Sequence, residues 1–180
     1  LGSLSLFYPI AFLFFMDALP AFIQLFTLAD AEASQRIEER LSLVLRDPAA
    51  YQDAYAEELA ERGMAEALPA QEVRDVALID ALLSEDLLWE SDYQDLAAET
   101  AEGLNDILER QQRPERLRLA SAGKGPEALD ALQEALEPLG LALVLLTLDS
   151  DAYPLSVVAE AQAEQARELA RELGFGMTVY

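Results

Sequence analysis

Three stretches of this chain carry residue types that could do chemistry. Asp149-Ser150-Asp151 places two carboxylates one residue apart, directly after the apolar run from Leu141 to Leu148 and just before Tyr153-Pro154. Carboxylate pairs of this kind suit Mg²⁺ or Ca²⁺, which take oxygen ligands. The rest of a calcium loop is missing, however, and Asp and Ser also bond their own backbone in ordinary turns. The second stretch, Trp89-Glu90-Ser91-Asp92-Tyr93-Gln94-Asp95, interleaves aromatic and acidic residues. Aromatic faces and carboxylates both attract Arg and Lys, so these residues could recognise a cationic partner. The plainer alternative is that Asp92 or Asp95 caps the next helix while Trp89 is buried. The third, Ser121-Ala122-Gly123-Lys124-Gly125-Pro126, holds the sole lysine of the chain between two glycines. Glycines expose backbone N–H groups at a helix start, so Lys124 could contact a small anion there. The spacing G-x-x-x-x-G-K-[ST] is not met, which favours an ordinary turn over a nucleotide loop.

Composition removes most other chemistry. The 180 residues include no histidine and no cysteine, and 34 acidic side chains stand against 12 basic ones for a net charge of -22. Without imidazole or thiol there is no Ser-His-Asp triad, no His-ligated zinc, no cysteine nucleophile and no disulfide. Any catalysis would run on carboxylates, hydroxyls or an oxygen-bound metal. The charge repels phosphate backbones, and the densest basic stretch, Arg110 to Arg118, is interrupted by Pro114 and Glu115, so no nucleic-acid partner is expected. It attracts basic proteins instead, unless it serves solubility alone. A hydrophobic fraction of 52% supports a real core despite the charge. The missing cysteines fit a reducing compartment, hence the cytoplasm.

These residues must be positioned by a scaffold with two textures. Residues 1–15 are apolar and uncharged, and the first basic residue is Arg36, which does not suit a secretory leader. They are expected to be a non-native extension ahead of a start at Met16; the alternatives are a membrane anchor formed by residues 1–28 and a packed helix. Residues 16–180 then form a single domain, mainly helical over 16–112 and sheet-forming over 113–180. Asp30 caps a helix with Ile37, Leu41, Val44 and Leu45 on one face, which ends at Asp47-Pro48. A second helix runs from Ala49 to Arg62, and a third opens at Pro69 with Val73, Val76, Leu82 and Leu83 inward. Leu96, Thr100, Leu104, Ile107 and Leu108 mark a fourth, and Leu87 to Glu90 between these last two helices is short enough to be a strand or a tight connection. The period then changes. Arg116 to Ala120 alternates like a strand with one wet face, Pro126 opens a helix closed by Gly140, and Leu141 to Leu148 reads as a central strand. Leu155 to Val158, a helix ending at Gly174, and Phe175 to Tyr180 complete a β-α-β-β-α-β order. The fold class is therefore α+β, compatible with a ferredoxin-like sheet.

The segments Leu88-Trp89-Glu90-Ser91-Asp92-Tyr93 and Leu148-Asp149-Ser150-Asp151-Ala152-Tyr153-Pro154-Leu155 together resemble a bacterial family known as domain of unknown function 6630. The resemblance runs from Met16 to Tyr180 and implies a small cytoplasmic protein of mixed α/β structure. It implies no activity, cofactor or catalytic residue. If shared positions are functional, Trp89, Glu90, Asp92, Asp149, Asp151 and Tyr153 are the candidates. The expected function is a non-enzymatic, adaptor- or immunity-like module that binds a basic protein through Trp89, Glu90, Asp92, Tyr93 and Asp95. The competing expectation is a divalent-metal-dependent hydrolase or transferase, with Asp149, Asp151, Glu90 and Asp92 clustered and Lys124 as an anion contact. Convergence of those carboxylates would favour the second.

Overall fold

The computed structural model describes residues 10–64, 66–120 and 122–180, with side chains from Asp17 onward. The chain runs α1 (Ile10–Thr27), α2 (Ala31–Arg46), α3 (Pro48–Ala54), α4 (Ala56–Glu61), α5 (Ala70–Leu83), β1 (Trp89–Asp92) and α6 (Ala97–Arg110). It continues with α7 (Pro126–Leu136), β2 (Leu141–Leu146), β3 (Ala152–Ala159), α8 (Ala163–Leu173) and β4 (Met177–Val179). The four strands form one sheet in the order β1-β3-β2-β4, with every pair antiparallel. Helices cover both faces. Ala142, Val144 and Leu146 of β2 meet a core that includes Phe22 and Phe26 of α1, Ile37 and Leu41 of α2, Leu78 of α5 and Ala166 of α8. Leu141 and Leu143 point the other way, to Leu104 and Leu108 of α6 and Leu132 and Leu136 of α7. Because successive side chains alternate across a strand, a strand buried on both faces reads as the continuous apolar run seen here.

Local signals in the sequence set several boundaries. Asp30 accepts the Ala33 N–H at 2.9 Å, and Asp47 both ends α2 and caps α3 by accepting the Ala50 N–H at 3.0 Å. Gly140 and Gly174 end their helices in the left-handed conformation, φ 68° and 80°. Other expectations change. The helix expected from Ala49 to Arg62 is interrupted at Tyr55, which stacks on Tyr51 at 4.4 Å under the Arg40 guanidinium. Leu83, expected inward, lies at the last position of α5 and is 37% exposed. β2 stops at Leu146 and β4 starts at Met177.

The largest correction concerns residues 116–120, which form no strand. Burial does alternate there, with Leu117 inside and Arg116, Arg118 and Ala120 outside. The segment lies along α6, however, and Asn105 takes the place of a strand partner, accepting the Leu117 N–H at 2.7 Å and donating to the Leu117 carbonyl at 3.0 Å. The sheet's first strand is Trp89–Asp92, antiparallel to β3. A ferredoxin-like sheet contains a β-α-β crossover, which makes parallel neighbours. No pair here is parallel, so that topology is not adopted. α1 runs through Met16, while residues 1–9 lie outside those described, and most of the expectation for the apolar extension falls there. Among the described residues no helix is long and apolar enough to cross a membrane.

Candidate functional site

The three chemistry-bearing stretches meet at the β1 end of the sheet, joined by their main chains. The Tyr93 N–H donates to the Asp151 carbonyl at 3.1 Å, extending the pairing of Ser91 with Tyr153 and Asp92 with Ala152. The Tyr93 carbonyl in turn accepts the Gly125 N–H at 3.0 Å, and the Gly123 carbonyl accepts the Ala97 N–H at 2.9 Å. Gly125 has φ 56° and ψ -133°, a conformation essentially reserved for glycine, and a Cβ there would point 3.9 Å from both the Tyr153 hydroxyl and the Tyr93 carbonyl. The glycine of the third stretch thus lets the loop reach the second while α7 starts at Pro126.

Side chains then separate into those held inward and those presented outward. Neither Asp92 nor Asp95 caps α6, against the plainer reading of this stretch; the N-cap position falls on Leu96, whose N–H donates to Glu99 at 3.0 Å. Asp95 accepts the Asp92 N–H at 2.8 Å, and Asp92 accepts the Gln94 N–H at 2.8 Å, so both acids shape the turn after β1. That turn leaves Tyr93 46% exposed. Trp89 is not buried but 38% exposed. It and Ser91 share the β1 face toward α6, where the Ser91 and Thr100 hydroxyls lie 2.7 Å apart. A Cβ built on Gly103 would fall 2.2, 2.4 and 2.6 Å from Cδ2, Cε2 and Cγ of Trp89. Those are adjacent atoms inside the indole, so the ring lies face-on over the glycine. Lys124 is exposed on its loop.

The carboxylates proposed for a metal are dispersed. Asp149 and Asp151 are exposed in the β2–β3 turn, where the Ala152 N–H donates to the Ser150 hydroxyl at 3.2 Å and the Ser150 N–H to the Leu148 carbonyl at 3.0 Å. Asp149 lines a groove of about 240 Å³ with Asp75 and Thr147, and Asp75 itself accepts the Gly176 N–H at 2.7 Å. Glu90 faces away from the turn and pairs with Arg62 at 2.8 Å. Among the described residues no three carboxylates come together as a metal-holding group.

Glu90 belongs to an ion-pair network absent from the sequence reading. Arg62 also holds Asp80, with Nε to Oδ1 at 2.6 Å, and Arg40 lies 3.7 Å from the other Asp80 oxygen. Arg40 further binds Glu58 at 2.7 Å and the Tyr51 hydroxyl at 2.8 Å, and its guanidinium stands 4.2 Å over the Tyr55 ring. Burial raises the Asp80 carboxyl above its ordinary value, with Arg62 and Arg40 opposing that rise. Burial likewise raises the Tyr51 hydroxyl, against the nearby Arg40 charge. A second cluster joins Arg36 to Glu85 at 2.6 Å and Arg110 to Asp30 at 2.8 Å. The Ala33 N–H first, and Arg110 second, lower the Asp30 carboxyl. The available signal was a carboxylate inside an apolar helix, Asp80 within Val76 to Leu83, since such a group is rarely buried without a partner.

Residues 18–180 match the family described as Domain of unknown function (DUF6630), and the chain belongs to that family. No curated protein and no solved structure matches the chain.

Proposed function

We propose that this DUF6630 protein is a non-enzymatic interaction module of the bacterial cytoplasm, adaptor-like in action, that takes a basic protein on the face formed by β1, its following turn and α6. The observation that carries this reading is the main-chain junction of residues 93, 125 and 151, which fixes exposed Tyr93 and Trp89 beside outward carboxylates. α6 adds to them. Glu99, Glu102, Asp106 and Glu109 are all exposed, and their spacing of three, four and three residues puts them along one side of the helix. Glu90 leaves the partner-binding set because Arg62 already holds it. A basic partner gains rate from such a face through long-range attraction, and specificity from the aromatic side chains between the charges.

Placement separates this reading from acidity that serves solubility. Asp92→Asn, Glu102→Gln and Asp106→Asn together remove three charges from the proposed face; Asp92→Asn keeps the acceptor for Gln94. Glu160→Gln, Glu168→Gln and Glu172→Gln remove three exposed charges at and before α8, across the sheet. Stopped-flow association with an arginine- and lysine-rich peptide should slow several-fold for the first set, with a flatter salt dependence, and change little for the second. Equal effects of the two sets would refute the site.

A further inference from the structure

The indole of Trp89 has one face committed to α6, and the residue is still 38% exposed. Gly103 is the only residue type that lets α6 approach the ring so closely, because any Cβ there would overlap Cδ2, Cε2 and Cγ. With that face on the helix, the exposure of Trp89 belongs to the rest of the side chain, and the opposite face is the part free of α6. Around the helix, Glu99 lies one turn before Gly103 and Asp106 one turn after it, both exposed and both on the side of α6 turned from its Leu104 and Leu108 core positions. A flat aromatic surface is thereby held rigidly beside carboxylates.

We propose that the free face of Trp89 is a platform for an arginine side chain of the partner, with Asp106 and Glu99 supplying the counter-charge. This rests on the acidic-interface reading above and names the side chain that the interface selects. Trp is the strongest of the aromatic residues in attracting a cation over its face. Arginine suits it better than lysine because the guanidinium is planar, stacks on a ring and is more weakly hydrated than an ammonium. The ring costs little ordering on binding, since Gly103 and β1 already fix it. Arg40 over Tyr55, at 4.2 Å, is the same contact made inside the protein.

The chain has one tryptophan, so its fluorescence reports on this platform alone. The probes are a blocked Gly-Arg-Gly-Arg-Gly peptide, its lysine counterpart, and its citrulline counterpart, which keeps the planar shape and loses the charge. The arginine peptide should shift Trp89 emission and bind more tightly than the other two. Trp89→Leu should weaken arginine-peptide binding, read by calorimetry, about two- to fivefold, the range for an exposed cation–π contact. Trp89→Phe, which keeps a ring, should lose less, and Asp106→Asn should weaken binding at low salt only. Calorimetric binding with unmoved emission, equal affinity for lysine and arginine, or an unchanged Trp89→Leu protein would overturn the platform while leaving the acidic interface standing. No binding of any cationic peptide would overturn both.

Discussion

Gly103→Ala is the substitution on which sequence rules and structure disagree in sign. Ala is favoured over Gly inside a helix by about 1 kcal/mol, and Gly103 lies well inside α6, so propensity alone predicts a more stable protein. The structure predicts the reverse, because the new methyl would stand 2.2 Å from Trp89 Cδ2 and the ring must move. Overpacking of this kind costs about 1–3 kcal/mol, so the net loss reaches up to about 2 kcal/mol. In a Trp89→Ala background the obstacle is gone and Gly103→Ala should stabilise by about 1 kcal/mol. The assay is urea denaturation of the four proteins of this cycle, where a loss of about 2 kcal/mol lowers the midpoint by about 1 M at unchanged slope. The Gly103→Ala protein should also show red-shifted emission as the indole leaves the helix. Stabilisation by Gly103→Ala alone, with emission unchanged, would show that the ring is not seated on Gly103 and would remove the basis for the arginine platform.

Asp80 titrates above its ordinary value because burial outweighs the help of Arg62 and Arg40; its contribution to stability is therefore full below the unfolded pKa of 3.8 and is lost as pH rises through the folded one. Arg62→Met should raise the Asp80 pKa further and steepen that loss, as followed by carboxyl NMR titration and denaturation across pH; a lowered pKa would contradict the network. Asn105→Ala should cost roughly 2 kcal/mol by stripping both partners from the Leu117 backbone, with faster amide exchange at Leu117. Unchanged exchange there would mean that water or a neighbour replaces Asn105. Asp149→Asn with Asp151→Asn should leave calorimetric Mg²⁺ and Ca²⁺ titrations as they are in the parent, since both side chains stand exposed in a turn that Asn also supports. A parent site of micromolar affinity that vanishes in the double variant would restore the metal-dependent alternative.

What could be read from the sequence follows the range of the interaction that decides each element. β2 was legible because burial on both faces writes a continuous apolar run, and the Asp30, Asp47, Pro126, Gly140 and Gly174 boundaries are set by residues within one turn. Residues 116–120 carry true strand alternation. Their burial obeys it, but whether they pair is decided twelve positions away, by the amide of Asn105. β1 is ambiguous for the opposite reason: four residues, Trp89–Asp92, are too few to show a period, and their pairing is set by β3 sixty or more positions later. The junction of Tyr93, Gly125 and Asp151 could not be inferred at all from residue types, since its bonds are made by N–H and carbonyl groups common to nearly every residue. Only Gly125 leaves a trace, as one of two glycines around Lys124, and by itself it signals no more than a turn.

The ion pairs explain why an acidic chain leaves its acidity on the outside. Arg36, Arg40, Arg62, Arg110 and Arg167 hold seven carboxylates within 4 Å, among them Asp80 and Glu85, which are each 8% exposed. A carboxylate withdrawn from water costs several kcal/mol unless a cation follows it, whereas an exposed one costs little. Asp80 and Glu85 are both paired in this way, and Glu90 is held by Arg62 at 27% side-chain exposure. None of those arginines pairs with Asp92, Glu102, Asp106 or Glu109 among the described residues. The arginines that tie α2, α4, α5 and β1 to one another therefore do not pair with the outer side of α6, next to the one indole set against that helix.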